Sequence, residues 1–423
     1  MLVRPRLSIY QCAQYLAISR APKRPQIRKF YLQPTSSTAT NHPTMDKPPT
    51  MVSDDKANIP KFLLAMESIY GPLPKTTDQN LSKWVPPPAA EGHRGRYLWT
   101  DGFAVVNFLT LYQLTEEERY LTFAQNLIAT VHNILGYTRN GKSRLPGATD
   151  QHPLNGGLRI GKHDESGPDG DGQYFHYLTV WMFALNRMSL VSGNRWYNDQ
   201  AISMAKAILP HFMSNTESHR PRMFWKLSMD LSRPLVMSEG NLDPVDGYVT
   251  YKLLQSTNPD DPEVLGEEVS LFKRIVDKKL RDYASADTLD LGMTLWTAHW
   301  FTPEEEWANN LTSRAIGCVK QLLENDYFDQ PVGRRLAFRE FGTALGVKAA
   351  LSSGTDEDGL CREDELVDAE IRALPDLICR AWEEAGLVPV PTKKMQGRMA
   401  ELMPITAVMY ATALIPGLMC KQS

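Results

Sequence analysis

The chain has 423 residues, of which 42% are hydrophobic and 22% are charged, and these values are typical of a folded globular protein. A formal net charge of −3 provides no basic surface of the kind that binds nucleic acid, so no nucleic-acid partner is expected. No apolar run approaches the roughly 20 residues of a membrane span, so no membrane partner is expected either. The five cysteines are widely spaced and include no C-x-x-C pair, which disfavours a disulfide framework and favours a reducing compartment.

The first 45 residues differ in composition from the rest of the chain. They contain seven Arg and Lys residues, no Asp or Glu, and the stretch "PTSSTATNHPT". This composition is typical of a mitochondrial transit peptide, and the alternatives are an unstructured extension or a translation start at Met45 or Met51. We expect residues 1–55 to be disordered and residues 56–423 to form one domain. The localisation is predicted to be mitochondrial if the segment acts as a transit peptide, and cytoplasmic otherwise.

Two kinds of predicted helix alternate along the rest of the chain. The segment 101–114 is apolar on nearly all sides, whereas the next segment, 116–135, is amphipathic. An amphipathic segment, 59–71, precedes this pair, and an apolar segment, 403–418, comes last. The same order recurs in four more pairs: 171–189 with 195–213, 246–255 with 267–284, 290–301 with 304–324, and 339–351 with 363–386.

These segments amount to six inner and six outer helices. An open solenoid is the alternative arrangement, but the unequal repeat lengths and the terminal helices that can pair with each other favour a closed ring. We therefore predict an all-α fold, an (α/α)6 barrel or six-hairpin toroid. In such a ring the inner helices run in one direction, so the loops before them surround one mouth of the barrel.

Five of the six inner helices are predicted to begin with an acidic residue close to a glycine. These residues are Asp101, Asp171, Asp246, Asp290 and Glu340. Aspartate at a helix start can cap free N–H groups, which stabilises a helix by about 0.5–2 kcal/mol. As a set, however, the five carboxyl groups would surround one cavity, and glycosidic chemistry needs carboxyl groups on either side of the reacting bond.

Three motifs near the second inner helix are similar to ligand-binding loops but do not meet their requirements. The segment "GGLRIGKH" (156–163) lacks the Ser or Thr that follows the lysine of a phosphate-binding loop. An EF-hand loop aligned on Gly172 would have Gly167 and Leu178 at its first and twelfth positions, where calcium requires carboxylates. The nearby histidines lack the H-x-x-x-H spacing of a helical zinc site. We therefore predict no metal and no cofactor.

The segment "LWTDGFAVVNFLTLYQLTEEERYLTFA" (98–124) resembles the first hairpin of the six-hairpin glycosidase superfamily, particularly the unsaturated glucuronyl and rhamnogalacturonyl hydrolases. The shared features are a Trp-x-x-Gly-Phe opening and an inner helix that ends in a turn before Tyr-Leu. Here the turn is Thr115-Glu116, without the glycine of the family, and Asp101 replaces a small polar residue. The resemblance implies hydrolysis of a glycoside, in its narrower form an unsaturated uronide. It also implies a general acid/base at an inner-helix start, where Asp171 is the best match by position.

The leading hypothesis is therefore a carbohydrate-active hydrolase whose ligand is a small carbohydrate or another small molecule. Asp171 is predicted to act as the acid/base, with Asp101 or Asp246 as the second carboxyl group. Substrate contacts are predicted for residues on the inner helices and in the loops before them: Asp150, His152, Arg159, Lys162, Gln173, His176, Glu239, Trp296, His299, Arg339 and Glu340.

Two other function classes are consistent with the same barrel. A sugar epimerase would use His176 and His299, both on predicted inner helices, as proton carriers across the cavity. A repurposed barrel would bind or rearrange a small molecule, and acids paired with arginines in an aromatic cavity would favour that class. The sequence does not determine the oligomeric state.

Overall fold

The computed structural model describes residues 53–75, 81–88, 96–167, 170–280, 283–352, 369–389 and 402–421. The predicted extension, 1–55, lies almost wholly outside these residues. Its disorder and its targeting role therefore stay predictions.

Twelve α-helices account for most of the described residues. In chain order they are α1 (Ser53–Tyr70), α2 (Leu98–Thr115), α3 (Glu118–Leu135), α4 (Phe175–Ser192), α5 (Trp196–Phe212), α6 (Asp243–Ser256), α7 (Gly266–Lys279), α8 (Thr288–Ala298), α9 (Glu306–Glu324), α10 (Ala337–Ser352), α11 (Ala369–Glu384) and α12 (Met403–Leu414). The even-numbered helices are the inner ones, and the odd-numbered helices are the outer ones.

The six inner helices form a closed ring. Each inner helix packs against the next one along the chain, and α12 packs against α2. Each outer helix packs against the inner helix of its own hairpin, and α1 packs against α12. These contacts confirm the predicted all-α (α/α)6 barrel, including the pairing of the first and last helices.

Burial explains why the two kinds of helix take these positions. All 11 residues of α8 are buried, whereas α3 buries only the stripe that begins at Tyr120 and ends at Leu135. A helix that is apolar all round needs neighbours on every side, and an amphipathic helix can bury only one face. Among the helices that the structure describes, none is both long and apolar enough to cross a bilayer.

Four short strands connect the loops at one end of the barrel. β1 (Gln173–Tyr174) pairs antiparallel with β4 (Lys226–Leu227), and β2 (Met213–Ser214) pairs antiparallel with β3 (Arg222–Met223). Because β1 comes directly before α4, this helix begins at Phe175. The prediction that it begins at residue 171 was wrong, since the pairing of β1 with β4 joins segments that are far apart in sequence.

Helices α8 and α10 approach each other at three glycines. Gly292 of α8 faces Gly342 and Gly346 of α10. A Cβ atom on Gly346 would lie 2.8 Å from the Cα atom of Gly292, which is closer than two carbon atoms can pack. The ring therefore depends on direct backbone contact at this point.

We predict that Gly346→Ala lowers the free energy of unfolding by about 1–3 kcal/mol, because the added methyl group meets backbone atoms that cannot move aside without separating the helices. The control is Gly317→Ala in α9, where a Cβ atom would meet nothing within 4 Å. This control should be neutral, or stabilising by up to about 1 kcal/mol. Denaturant unfolding compares the two variants, and equal midpoints would contradict the close contact of α8 with α10.

Candidate active site at the mouth of the barrel

Asp101, in the first turn of α2, is held by Arg96 and Tyr70. The Nε atom of Arg96 donates a hydrogen bond of 2.8 Å to Oδ1, and the Tyr70 hydroxyl donates one of 2.7 Å to the same atom. All three side chains are buried, and burial raises the pKa of Asp101 although Arg96 opposes the rise. The hydrogen bond from Tyr70 joins the first outer helix, α1, to the first inner helix, α2. Asp101 therefore has a structural role where the two ends of the chain meet.

Asp171 lies in a larger hydrogen-bond network, four residues before α4. Its Oδ2 atom accepts hydrogen bonds from Arg159 Nη1 at 2.6 Å and from Arg139 Nη1 at 3.0 Å. Its Oδ1 atom accepts hydrogen bonds of 3.0–3.3 Å from three backbone N–H groups, those of Gly161, Lys162 and Gly172. The carboxylate does not cap α4; it fixes the loop before it. An arrangement in which both oxygens are held by donors does not favour proton transfer by Asp171.

Glu340, in the first turn of α10, forms a bidentate pair with Arg335. Nε of Arg335 donates to Oε1 at 2.7 Å, and Nη2 donates to Oε2 at 2.5 Å. The indole N–H of Trp382 donates a third hydrogen bond, of 2.8 Å, to Oε2. This buried group joins α10 to the outer helix α11.

Asp287 provides the cap of α8, and it is also paired with an arginine. Its side chain accepts hydrogen bonds from the backbone N–H groups of Leu289 and Asp290. Arg339, which was predicted to contact substrate, forms an ion pair with Asp287. The cap of this helix is therefore Asp287 and not Asp290.

Three further acids form what we call the mouth acid cluster: Asp243, Asp246 and Asp290. All three are buried, at the starts of α6 and α8. Their hydrogen-bond donors are uncharged: Thr297 donates to Asp246 at 2.9 Å, and Asn241 and Tyr283 donate to Asp290 at 3.2 and 3.0 Å. Oδ1 of Asp243 is buried without a hydrogen-bond donor among the described residues.

The surroundings within the mouth acid cluster raise the pKa of two of its members, Asp246 and Asp290. Burial raises the pKa of Asp246 well above the ordinary value of an aspartate, and the negative charges of Asp243 and Asp290 raise it further. The hydrogen bond from Thr297 opposes this rise. Burial also raises the pKa of Asp290. A carboxyl group in such surroundings keeps its proton at a higher pH than an exposed aspartate, as a general acid must.

Aromatic side chains lie beside the acids and form the mouth aromatic cluster, which consists of Trp99, Tyr174, Tyr177 and Trp225. The ring of Tyr174 lies 5.0 Å from that of Tyr177 and 5.4 Å from that of Trp225. His176 stacks on Tyr174 at 5.5 Å, and its Nδ1 atom lies 3.5 Å from Oδ1 of Asp243. His176 therefore connects the aromatic cluster to the acid cluster.

Two lysines lie close to Tyr174. Lys162 donates a hydrogen bond of 3.1 Å to the Tyr174 hydroxyl, and the Nζ atom of Lys226 lies 5.1 Å from the ring centroid. Lys226 is buried and also donates to the carbonyl of Gly170. This side of the mouth is cationic, whereas the side formed by α6 and α8 is acidic.

Several residues that were predicted to contact substrate make other contacts. Gln173 is buried and hydrogen-bonds to the backbone of Gly156 and Met229, so it connects two loops. Three others form the following pairs on or near the surface: Asp150 with Arg144, His152 with Ser203, and Glu239 with Arg222.

Trp296 and His299 lie deeper in the barrel than the sequence predicted. Trp296 donates to the carbonyl of Met419, and its ring lies 6.5 Å from Phe103 on the opposite side of the ring of helices. His299 follows the last of the 11 residues of α8, about 16 Å along the barrel axis from the mouth. The structure therefore does not bring His176 and His299 together, and the predicted pairing of these two histidines was wrong.

Asp243, Asp290 and Tyr177 were not predicted as catalytic or substrate-contacting residues, although Asp290 was expected at the mouth of the barrel. The signal for Asp243 was available, because it precedes Asp246 by three residues and so shares a helix face with it. Within the described ranges, the structure contains no group of three or more His, Cys, Asp and Glu side chains that could hold a metal ion.

Solved structures with a similar fold include a mannanase and a sugar epimerase. No protein-family model matches the chain, and no curated protein matches it. An inactive α-1,6-mannanase variant of Salegentibacter sp. HEL1_6, in complex with α-1,6-mannotriose, is 10% identical and superposes with a TM-score of 0.51 over 86% of this chain and 99% of the mannanase. A sugar epimerase from a ruminal bacterium is 9% identical and has a TM-score of 0.50 over 83% of this chain and 98% of the epimerase.

These mannanases and epimerases are members of the six-hairpin glycosidase superfamily. The narrower resemblance to unsaturated glucuronyl and rhamnogalacturonyl hydrolases is not shown by these structures. At such low sequence identity, the similarity establishes the fold and not the activity.

We predict that Asp171→Asn lowers the free energy of unfolding by about 3–5 kcal/mol, because it leaves the buried guanidinium of Arg159 without its counter-charge. The matched control is Asp150→Asn, which removes a carboxylate whose side chain is 97% exposed, and which should leave the stability unchanged. Thermal and denaturant unfolding measure both. A variant Asp171→Asn as stable as the control would show that the network does not hold the loop.

Proposed function

We propose that this protein is a glycoside hydrolase in which Asp246 is the general acid and Asp243 is the nucleophile. The observation that carries the proposal is the position of Asp246, a buried carboxyl group that lies beside two further buried acids and beside no arginine among the described residues, and these surroundings raise its pKa. A hydrolase needs one carboxyl group that keeps its proton beside one that acts as an anion. The mouth acid cluster supplies both at the start of one helix.

The spacing of the two residues supports a retaining mechanism. Residues three apart on a helix have Cβ atoms about 5–6 Å apart, and retaining glycosidases hold their carboxyl groups about 5–5.5 Å apart. Inverting enzymes need about 6.5–9.5 Å, because a water molecule must fit between the carboxyl group and the sugar. The Cβ spacing expected for Asp243 and Asp246 on one helix is therefore closer to the shorter carboxyl separation.

The reaction then proceeds in two displacements. Asp243 attacks the anomeric carbon while Asp246 donates its proton to the glycosidic oxygen, so that the carbon–oxygen bond breaks and the first sugar leaves. Asp246, now a carboxylate, takes a proton from water. The water oxygen then attacks the anomeric carbon and breaks its bond to Asp243. Asp243 is again a carboxylate, and Asp246 is again protonated.

The surrounding residues fit a sugar substrate. Within the mouth aromatic cluster, Tyr177 is the half-buried member, and its ring suits the apolar face of a sugar. His176 lies 3.5 Å from Oδ1 of Asp243, where it could also meet a sugar hydroxyl. The mannanase comparison, a complex with α-1,6-mannotriose, makes α-linked mannooligosaccharides the first substrates to test. The narrower uronide hypothesis rests on Lys162 and Lys226, which lie beside Tyr174 and could meet a carboxylate.

Two observations favour the other function classes. His176, whose Nδ1 atom lies 3.5 Å from Oδ1 of Asp243, has a carboxylate neighbour as a proton carrier in an epimerase would, although His299 is too distant to be its partner. The pairing of Asp101, Asp171 and Glu340 with arginines is what a repurposed, small-molecule-binding barrel would show. The hydrolase accounts better for the mouth acid cluster, which has no arginine partner in the part of the chain that the structure describes.

We predict that Asp246→Asn lowers kcat by about 10²–10⁴-fold, the usual contribution of a general acid. The assay incubates the protein with α-1,6-mannooligosaccharides, cellobiose and unsaturated uronides, and identifies products by mass spectrometry and NMR. The control is Asp260→Asn, which removes an exposed carboxylate of the Arg195 ion pair and should retain full activity. Turnover in Asp246→Asn at the wild-type rate would exclude the proposed role, and epimerised products lost in His176→Asn would identify an epimerase.

The pH dependence of stability gives an independent check. The pKa of Asp246 in the folded protein is higher than that of an unfolded aspartate, about 3.9. Its contribution to stability is therefore fully present below that pH and is lost as the pH rises through the folded-state pKa. We predict that Asp246→Asn is at least as stable as the wild type at pH 7. Between pH 4 and pH 7 the variant should lose less stability than the wild type does, and thermal unfolding across that range measures both. A variant that is inactive and also strongly destabilised would instead indicate a structural role.

A further inference from the structure

Arg187 and Trp300 lie at the end of the barrel opposite the mouth acid cluster. Arg187 is in the last two turns of α4, and Trp300 is in the 3-10 turn that follows α8. Between the two ends lie aromatic side chains, because Phe183 contacts both Trp296 and Trp300, at 5.2 and 5.5 Å. This second region is therefore separate from the proposed hydrolase site.

Arg187 is a buried cation without an acidic partner among the described residues. The side chain is 6% exposed, and its Nε and Nη2 atoms both donate to Oδ1 of Asn186. The guanidinium lies 5.1 Å from the ring centroid of Phe183 and 5.0 Å from that of Trp300. Burial lowers the pKa of Arg187 to about 10, and no carboxylate of the described segments opposes this effect. By contrast, Arg96, Arg159 and Arg335 are each paired with an acid.

Trp300 adds a second donor at the same place. Its Nε1 atom is buried and has no hydrogen-bond acceptor among the described residues. The adjacent His299 does not supply one, because its Nδ1 atom bonds the carbonyl of Trp296 and its Nε2 atom accepts the N–H of Lys421. Burial, with the positive charges of Lys421 and Arg187, lowers the pKa of His299 to about 3, so this ring is neutral.

A buried positive charge and a buried N–H group are both unfavourable unless an acceptor meets them. The negative C-terminal ends of α4 and α8 stabilise a cation, but that effect is weak and does not satisfy the indole N–H. We propose that Arg187 and Trp300 together bind a small monovalent anion, either chloride or the carboxylate of a small ligand. Asn186 positions the guanidinium for this purpose, and Phe183 shields it from water.

The test measures thermal unfolding at constant ionic strength while sodium methanesulfonate is replaced by sodium chloride or by sodium acetate. A bound anion stabilises the folded state in proportion to the logarithm of its concentration above Kd, so the melting temperature should rise with the anion that binds. Chloride and acetate distinguish the two sources of the negative charge. If neither chloride nor acetate raises the melting temperature above its value in methanesulfonate, the proposal is wrong.

Three variants assign the effect to this site. Trp300→Phe keeps the ring and removes only the N–H group, and Arg187→Gln removes the charge; each should weaken the apparent anion affinity by about tenfold or more. Arg195→Gln, which changes an exposed arginine at the start of α5, should leave it unchanged. If Arg187→Gln does not fold, the anion affinity of Trp300→Phe alone tests the site. An anion effect of equal size in Trp300→Phe and the wild type excludes this site. An anomalous bromide peak in a crystal, within contact distance of both the Arg187 guanidinium and Nε1 of Trp300, would locate it directly.

Discussion

The closed ring of parallel inner helices determines the electrostatics of this protein. Because all six inner helices run in one direction, their N-terminal ends meet at one mouth, each with roughly half of a positive charge, and their C-terminal ends meet at the other. Carboxylates are favoured at the first end and cations at the second. The arrangement of acids at the starts of α2, α6, α8 and α10, and of Arg187 near the end of α4, follows this asymmetry.

The helix ends alone do not decide which carboxyl group can perform chemistry. A helix N-terminus lowers the pKa of a nearby carboxyl group, and its effect is of the order of 1 kcal/mol or less. Burial next to other acids acts in the opposite direction and is larger, up to 3–5 pKa units for a fully buried group. At Asp101, Asp171 and Glu340 an arginine compensates the buried charge. Among the described residues no arginine does so at Asp246, and burial next to other acids raises its pKa well above the ordinary value of an aspartate.

The sequence predicted the fold in detail because helical periodicity is a local property. The boundaries of α2, α3 and α5 are within three residues of those expected, and the order of inner and outer helices is the predicted one. The sequence did not predict the features that depend on contacts between distant segments. The start of α4 depends on the pairing of β1 with β4, and the network around Asp171 depends on Arg139, 32 positions earlier in the chain.

Some of the site was nevertheless accessible from the sequence and the ring topology together. In a ring of parallel helices, a residue's distance from the mouth follows from its position within its own helix. His176 is the second residue of α4, whereas His299 comes after the last residue of α8, so the two must lie at opposite ends. The same reasoning places Asp243, Asp246 and Asp290 at one level, since each lies in the first turn of its helix. Which of these acids lacks a compensating arginine depends on loops that fold back from elsewhere in the chain, and only the three-dimensional structure supplies that information.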